Sequence, residues 1–177
     1  MDVTKIPAGL NPPEDINVII EVARLADPVK YELDKESGAM YVDRFLHTAM
    51  HYPCNYGFIP HTLSDDGDPA DVMLLGRLPV MPGAVVRACP IGVLMMEDEA
   101  GMDEKILCVP HPKLKSLFSD YKDISDATSH DLNRLEHFFA HYKDLEEGKW
   151  VKILGWENAE KAREVIQTAV ENYNKSK

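Results

Sequence analysis

The stretch that decides the fold is AVVRACPIGVLMMEDEAGMDEKILCV, residues 84–109. It holds three short apolar runs, Ala84–Arg87, Ile91–Met96 and Ile106–Val109, each too short for a helix. The acidic segment from Glu97 to Lys105 separates the second run from the third, with Ala100-Gly101 as its turn. It therefore reads as a hairpin tip, with Asp98 and Asp103 on its shoulders. Working upstream, Val72–Leu75, Ala39–Val42 and Ile16–Ile20 are further runs of this kind. Turn signals divide them at Met81-Pro82-Gly83, Asp66-Gly67-Asp68-Pro69 and Glu36-Ser37-Gly38. Many short strands with regular punctuation predict a small barrel or sandwich.

Downstream the period changes. Leu132, Leu135, Phe138, Phe139, Tyr142 and Leu145 recur at the three-and-four spacing of one buried helical face. Asp126 or Ser129 caps its start and Gly148 ends it. A short strand over Trp150–Leu154 comes next. Asn158 then caps a last helix whose apolar stripe is Ala162, Val165, Ile166, Ala169 and Tyr173. The expected architecture is mainly β with flanking helices (α+β), a single domain over residues 1–177 with two helices in its C-terminal region.

Bulk composition narrows the function classes. The chain has 177 residues, 45% hydrophobic and 28% charged, which suits one globular domain with a real core. Thirty Asp and Glu against nineteen Lys and Arg give a net charge of −11. No Lys/Arg cluster offers a nucleic-acid stripe, and no basic amphipathic face offers a membrane surface. Cys54, Cys89 and Cys108 form neither a Cys-x-x-Cys pair nor an even set, so no disulfide framework or zinc knuckle is expected. The first residues lack a basic segment followed by an apolar run, and no apolar stretch approaches about 20 residues. A reduced, cytoplasmic protein is expected.

The sharpest local signal is Asp66-Gly67-Asp68-Pro69-Ala70-Asp71. Three carboxylates crowd a tight turn, where they repel one another unless cations or water intervene. Such a turn lets their oxygens converge; it is also an ordinary composition for an acidic surface turn. An EF-hand loop beginning at Asp66 needs Glu at its twelfth position, which is Arg77. Cations and phenols are interspersed along the chain. Lys30 and Glu32 share one face of an extended segment. Arg44, Tyr52 and Tyr56 follow, then Lys105, Tyr142 and Lys143. Divalent ions on the carboxylates would reverse the local sign for a phosphate substrate and activate a water, while Lys and Arg offset charge on the leaving phosphate. Carboxylates without a His/Cys ligand set favour magnesium over zinc. Two other classes fit the same cluster: a metal-dependent phosphate-binding protein without turnover, and an Asp-x-Asp metal-dependent transferase.

These residues resemble the family I soluble inorganic pyrophosphatases, short bacterial type. The likeness rests on Asp66–Val72, Pro28–Glu32, Val42-Asp43-Arg44, Tyr52–Gly57, Asp98–Gly101 and His141–Glu146, and so runs nearly end to end. Ala70 departs from it, where the family usually carries a larger aliphatic side chain. The resemblance implies a closed five-stranded OB-like barrel with helices outside. It implies hydrolysis of pyrophosphate, taken as its magnesium complex, to two orthophosphates by direct attack of a metal-activated water. Several Mg2+ ions are implied per subunit, with Mn2+ as a substitute. By position, Asp66, Asp71 and Asp103 hold the first metal, with Asp71 bridging to a second, and Asp98, Asp103 and Glu21 serve further ions. Asp68 is the implied base, Glu32 orders water and metal from behind, and Tyr52 lines the site. Lys30, Arg44, Tyr56, Lys105, Tyr142 and Lys143 match phosphate-binding positions.

His137 and His141 stand one helical turn apart. Phe138 follows His137, so the His-Glu-x-x-His zinc protease pattern is absent. The resemblance instead implies a subunit interface at His137, His141 and Asp144 in a homo-oligomer, a hexamer built from two trimers.

Overall fold

The computed structural model describes residues 2–177. In chain order its strands are β1 (Gly9–Asn11), β2 (Asp15–Val22), β3 (Val29–Leu33), β4 (Met40–Phe45), β5 (Asn55–Phe58), β6 (Asp71–Leu74), β7 (Val85–Asp98), β8 (Gly101–Met102), β9 (Lys105–Pro110) and β10 (Val151–Asn158). Helix α1 (Ser129–His141) precedes β10, and α2 (Ala159–Lys175) follows it. Strands β2, β5, β6, β9 and β7 pair in that order, and β7 pairs back to β2. Five strands thus close into a ring, the expected architecture. Within the ring, β6 and β9 run parallel and the other neighbours antiparallel. A separate hairpin, β3–β4, stands apart from this sheet.

The period-two arrangement of side chains explains why both faces of the ring strands are apolar. Val72, Leu74, Ile106 and Cys108 pack with Ala162, Ile166 and Ala169 of α2. Their neighbours Met73, Leu75, Leu107 and Val109 pack with Leu135, Phe138 and Phe139 of α1. Each helix therefore covers one set of alternate side chains. Ala70 lies in the α2 cluster at 2% exposure, so its departure from the family pattern is a matter of core packing. Where β5 meets β2, a Cβ on Gly57 would strike the Ile19 carbonyl oxygen, so only glycine permits that approach.

Several boundaries differ from the sequence reading, among them β10, which runs on to Asn158 and not to Leu154. The runs at 84–87 and 91–96 belong to one strand, because Pro90 falls at a register shift between β7 and β9 that absorbs its missing donor. Helix α1 is capped by Thr128, whose Oγ1 accepts from the Asp131 amide at 3.1 Å. Asp126 instead closes a one-turn helix, accepting the amides of Lys122 and Asp123. The helix ends at His141, so Leu145, placed on its apolar face by spacing, is exposed. Asn158 caps α2 as expected, its Oδ1 accepting from the Lys161 amide at 3.0 Å. Among the described residues no helix is long and apolar enough to cross a membrane, and Cys54, Cys89 and Cys108 are free thiols.

Candidate active site

The acid turn leads into β6. Gly67 takes a φ of +93°, a conformation glycine adopts without strain, and its amide donates to the Ser64 carbonyl at 3.1 Å. The Asp68 amide donates to Asp66 Oδ1 at 3.0 Å, so one carboxylate oxygen of Asp66 fixes the turn. Asp68 itself stays open, with its side chain 79% exposed and Lys35 Nζ 4.0 Å away. Asp71 is the first residue of β6, and parallel register sets it beside Lys105, the first residue of β9.

On the other bank, β3–β4 sets Lys30 directly opposite Arg44. Like charges in that relation repel, and Asp43 offsets them, 3.3 Å from Lys30 Nζ and 4.0 Å from Arg44 Nε. Glu32 Oε1 lies 2.5 Å from Lys30 Nζ. Burial opposes the Lys30 ammonium, but the Glu32 hydrogen bond and the charges of Glu32, Asp43 and Asp71 outweigh it and hold it above the ordinary lysine range.

The hairpin tip and the residues just past α1 close the cleft. Tyr142 and Lys143 follow immediately on the last turn of α1, which points them inward. Lys143 Nζ lies 2.6 Å from Asp98 Oδ2, and Asp98 Oδ1 accepts the Ala100 amide at 2.8 Å. Burial works against the Asp98 charge, yet these two hydrogen bonds prevail and hold its carboxyl below the usual range. Lys105 Nζ sits 2.5 Å from both Asp71 Oδ2 and Asp103 Oδ1. Burial disfavours that ammonium, but the two carboxylates raise it well above its ordinary range. Asp103 is pushed up by burial, although Lys105 counters it. Glu21 is pushed up to about 8, chiefly by burial, while its Oε1 accepts the Leu33 amide at 2.8 Å.

Tyr52 and Tyr56 pack against Phe138 and Phe139 of α1, with ring centroids 4.6 Å apart for Tyr52–Phe138 and 5.8 Å for Tyr56–Phe139. Burial raises both phenols well above their usual range, which keeps them neutral and able to donate to an anion.

Glu21, Lys30, Glu32, Arg44, Tyr52, Tyr56 and Asp66 line one cleft of about 290 Å³ together with Asp68, Asp71, Asp98, Asp103, Lys105, Tyr142 and Lys143. All the cleft residues expected from sequence are therefore assembled there. His137, His141 and Asp144 lie elsewhere, on the exposed side of α1 and the turn after it. Their two imidazoles stand 4.7 Å apart between ring centroids, and His141 Nδ1 meets Asp144 Oδ2 of its own chain at 2.8 Å.

Three charged residues of the cleft went unassigned from sequence: Lys35, Glu99 and Lys149. Glu99 lay in plain view inside the acidic hairpin tip. Lys35 and Lys149 sit in turns with no local signal. Lys149 Nζ is 2.5 Å from Glu99 Oε1, and Lys143 Nζ is 3.7 Å from the same oxygen.

The family model for inorganic pyrophosphatase matches residues 18–174. The chain belongs to the inorganic pyrophosphatase family. The inorganic pyrophosphatase of Rhodospirillum rubrum is 68% identical over 170 residues, covering 96% of this chain and 95% of that one. The inorganic pyrophosphatase of Escherichia coli K12 is 55% identical over 171 residues, covering 97% of each. Among solved structures, the inorganic pyrophosphatase of Helicobacter pylori superposes with a TM-score of 0.92 at 46% identity, over 96% of this chain and 99% of that one. The fold and the family expected from the sequence are thus both found, over nearly the whole length of this inorganic pyrophosphatase.

Proposed function

We propose that this inorganic pyrophosphatase cleaves the phosphoanhydride of magnesium-bound pyrophosphate by direct attack of water, with Asp68 accepting the water's proton. One water adds to one phosphorus, the bridging oxygen leaves with the other phosphate, and two orthophosphates result. The observation that carries this reading is the cleft's composition: every residue expected for metal, phosphate or catalysis lines it, and its eight carboxylates face six cationic side chains.

The family is metal-dependent, and the donor set here fits hard cations. Glu21, Asp66, Asp71, Asp98 and Asp103 offer only oxygen, and no His or Cys lines the cleft. Among the described residues no three ligand-type side chains form a ready cage, and Lys105 and Lys143 hold the carboxylates instead. We assign Asp66, Asp71 and Asp103 to the first magnesium and Asp98, Asp103 and Glu21 to further ions, with manganese as a substitute. Such ions, when bound, supply a low-pKa water and screen the phosphate charge.

The remaining residues bind and orient. Lys30, Arg44, Lys105 and Lys143 neutralise the phosphates, and Arg44 offers a planar fork that matches phosphate oxygens. Tyr56 and Tyr142 donate to phosphate oxygens. Tyr52 supports that wall from the aromatic cluster, and Glu32 steadies Lys30. Asp68 is exposed into the cleft and carries no short ion pair, which leaves it free for a proton. In this reading the protein acts in the cytoplasm as a homohexamer, with α1 at a subunit contact.

The decisive measurement is orthophosphate release from pyrophosphate with and without magnesium, with a phosphate monoester as control. Metal-dependent release from pyrophosphate alone is expected. Binding without release, or transfer from a nucleotide-sugar donor, would overturn the reading.

A further inference from the structure

We infer that Glu146 is a positioning residue for the reaction, holding the Arg44 guanidinium by its Nε so that the two terminal amino groups are presented to a phosphate. This rests on the reading above that Arg44 binds phosphate. Arg44 Nε and Glu146 Oε1 lie 3.6 Å apart. Among the described residues only three buried side-chain polar atoms lack a hydrogen-bond partner, and these are two of them. These two atoms are thus shielded from solvent and held by charge, with no closed hydrogen bond between them. The side chain of Glu146 is 11% exposed and that of Arg44 28% exposed. Arg44 lines the cleft and Glu146 does not, so the carboxylate approaches the guanidinium from behind.

The backbone supports this division of labour. The Glu146 amide donates to the Lys143 carbonyl at 2.9 Å, so one tight turn carries Lys143 into the cleft and Glu146 to its rear. His47, three residues after Arg44, approaches the Leu145 carbonyl through its Nδ1 at 3.3 Å. The end of β4 is therefore fastened to that turn at two adjacent points. An arginine left free at Nε samples many rotamers, and ordering it on each substrate encounter costs binding free energy. A buried carboxylate behind Nε removes that cost in advance, as outer partners orient ligands in other charged sites.

The test is a double-mutant cycle on the full-length protein with saturating magnesium, using Glu146→Gln, Arg44→Ala and the pair. Gln keeps the shape of Glu, so melting temperature should change little. Glu146→Gln should lower kcat/KM by about 5- to 50-fold, the size of coupling seen between residues in one ion-pair network. The loss should appear mainly as a raised KM, and metal affinity should hold. In the Arg44→Ala background the same change should cost less than twofold. A residue that merely supports the turn would cost the same in both backgrounds, and that result overturns the inference. So does an unaltered kcat/KM in Glu146→Gln where Arg44→Ala is impaired. If Arg44→Ala is itself unimpaired, the phosphate role of Arg44 fails instead, and the inference falls with it.

Discussion

Asp71 and Lys105 are register partners at the heads of two parallel strands, and their side chains meet at 2.5 Å. The same ammonium reaches Asp103 at 2.5 Å, so one buried lysine holds two carboxylates assigned here to metal. The lysine serves as a built-in counter-ion, one that a divalent cation bound as proposed would displace from the carboxylates, leaving the ammonium free for a phosphate. The paired heads of β6 and β9 thus carry both the charge proposed for metal and the charge proposed for phosphate.

Replacing that lysine should expose the arrangement. Lys105→Met leaves the buried Asp103 and the part-exposed Asp71 without their cation; breaking a buried pair typically costs about 3–5 kcal/mol, and solvent around Asp71 lowers that figure. The metal-free variant should melt well below the parent, and magnesium should recover more stability in the variant than in the parent. Thermal denaturation with EDTA and then with magnesium checks this. Identical melting temperatures without metal would remove Lys105 from the counter-ion role.

Asp68→Asn should cut turnover by about 100- to 10,000-fold, the usual contribution of a positioned acid–base group. The side chain projects from the turn with its nearest cation, Lys35, at 4.0 Å, so the fold gains little from its charge. Magnesium affinity by calorimetry should stay within a few-fold of the parent. Near-normal turnover would pass the base role to another group.

Glu21 makes the metal-free protein sensitive to pH. Its folded-state value of about 8 lies above the ordinary 4.5, mainly through burial. Its contribution is therefore fully present below about pH 4.5 and is lost as pH rises through 8. Glu21→Gln retains an oxygen to accept the Leu33 amide and has no proton to lose. In EDTA it should match the parent near pH 5 and exceed it at pH 9, by on the order of 3–5 kcal/mol. Denaturant unfolding at the two pH values decides; a parent as stable as the variant at pH 9 would contradict the assignment.

The proposed hexamer puts His137 and His141, on the open side of α1, at a subunit contact, so assembly should read out their replacement. A large species should dominate at neutral pH, with His137→Gln or His141→Gln shifting the balance toward smaller ones. Light scattering after size exclusion reads this directly. A monomer at neutral pH and micromolar concentration would end the hexamer proposal.

The sequence exposed most of the strands because burial on both faces leaves uninterrupted apolar runs, as in Val72–Leu75 and Ile106–Val109. It concealed β5 (Asn55–Phe58), where Asn55 and Gly57 interrupt any apolar run. What holds that segment is tertiary: the buried Asn55 side chain accepts the amides of Arg24 and Val80 and donates to the Leu78 carbonyl. The cleft residues were legible because their chemical types cluster in short motifs. Their pairing was not. Nothing local says that Lys105 faces Asp71 or that Glu146 stands behind Arg44, because those contacts depend on register and on where α1 ends.

The ring is completed by the seam between residues 16–19 of β2 and residues 85–88 of β7. Contacts between such distant segments close late, because a long loop must be ordered before they return any stabilisation. Glu21 lies just past that seam on β2, while Asp71, Asp98 and Lys105 belong to strands that the seam draws into one ring. Asp71, Asp98 and Asp103 are gathered by the β6–β9–β7 pairing alone, so Glu21 is the carboxylate whose place among them depends on the seam. A chain emerging from synthesis cannot hold the whole constellation of acidic groups before β7 and β9 have been made, so the carboxylate set proposed for several cations is complete only in the finished ring.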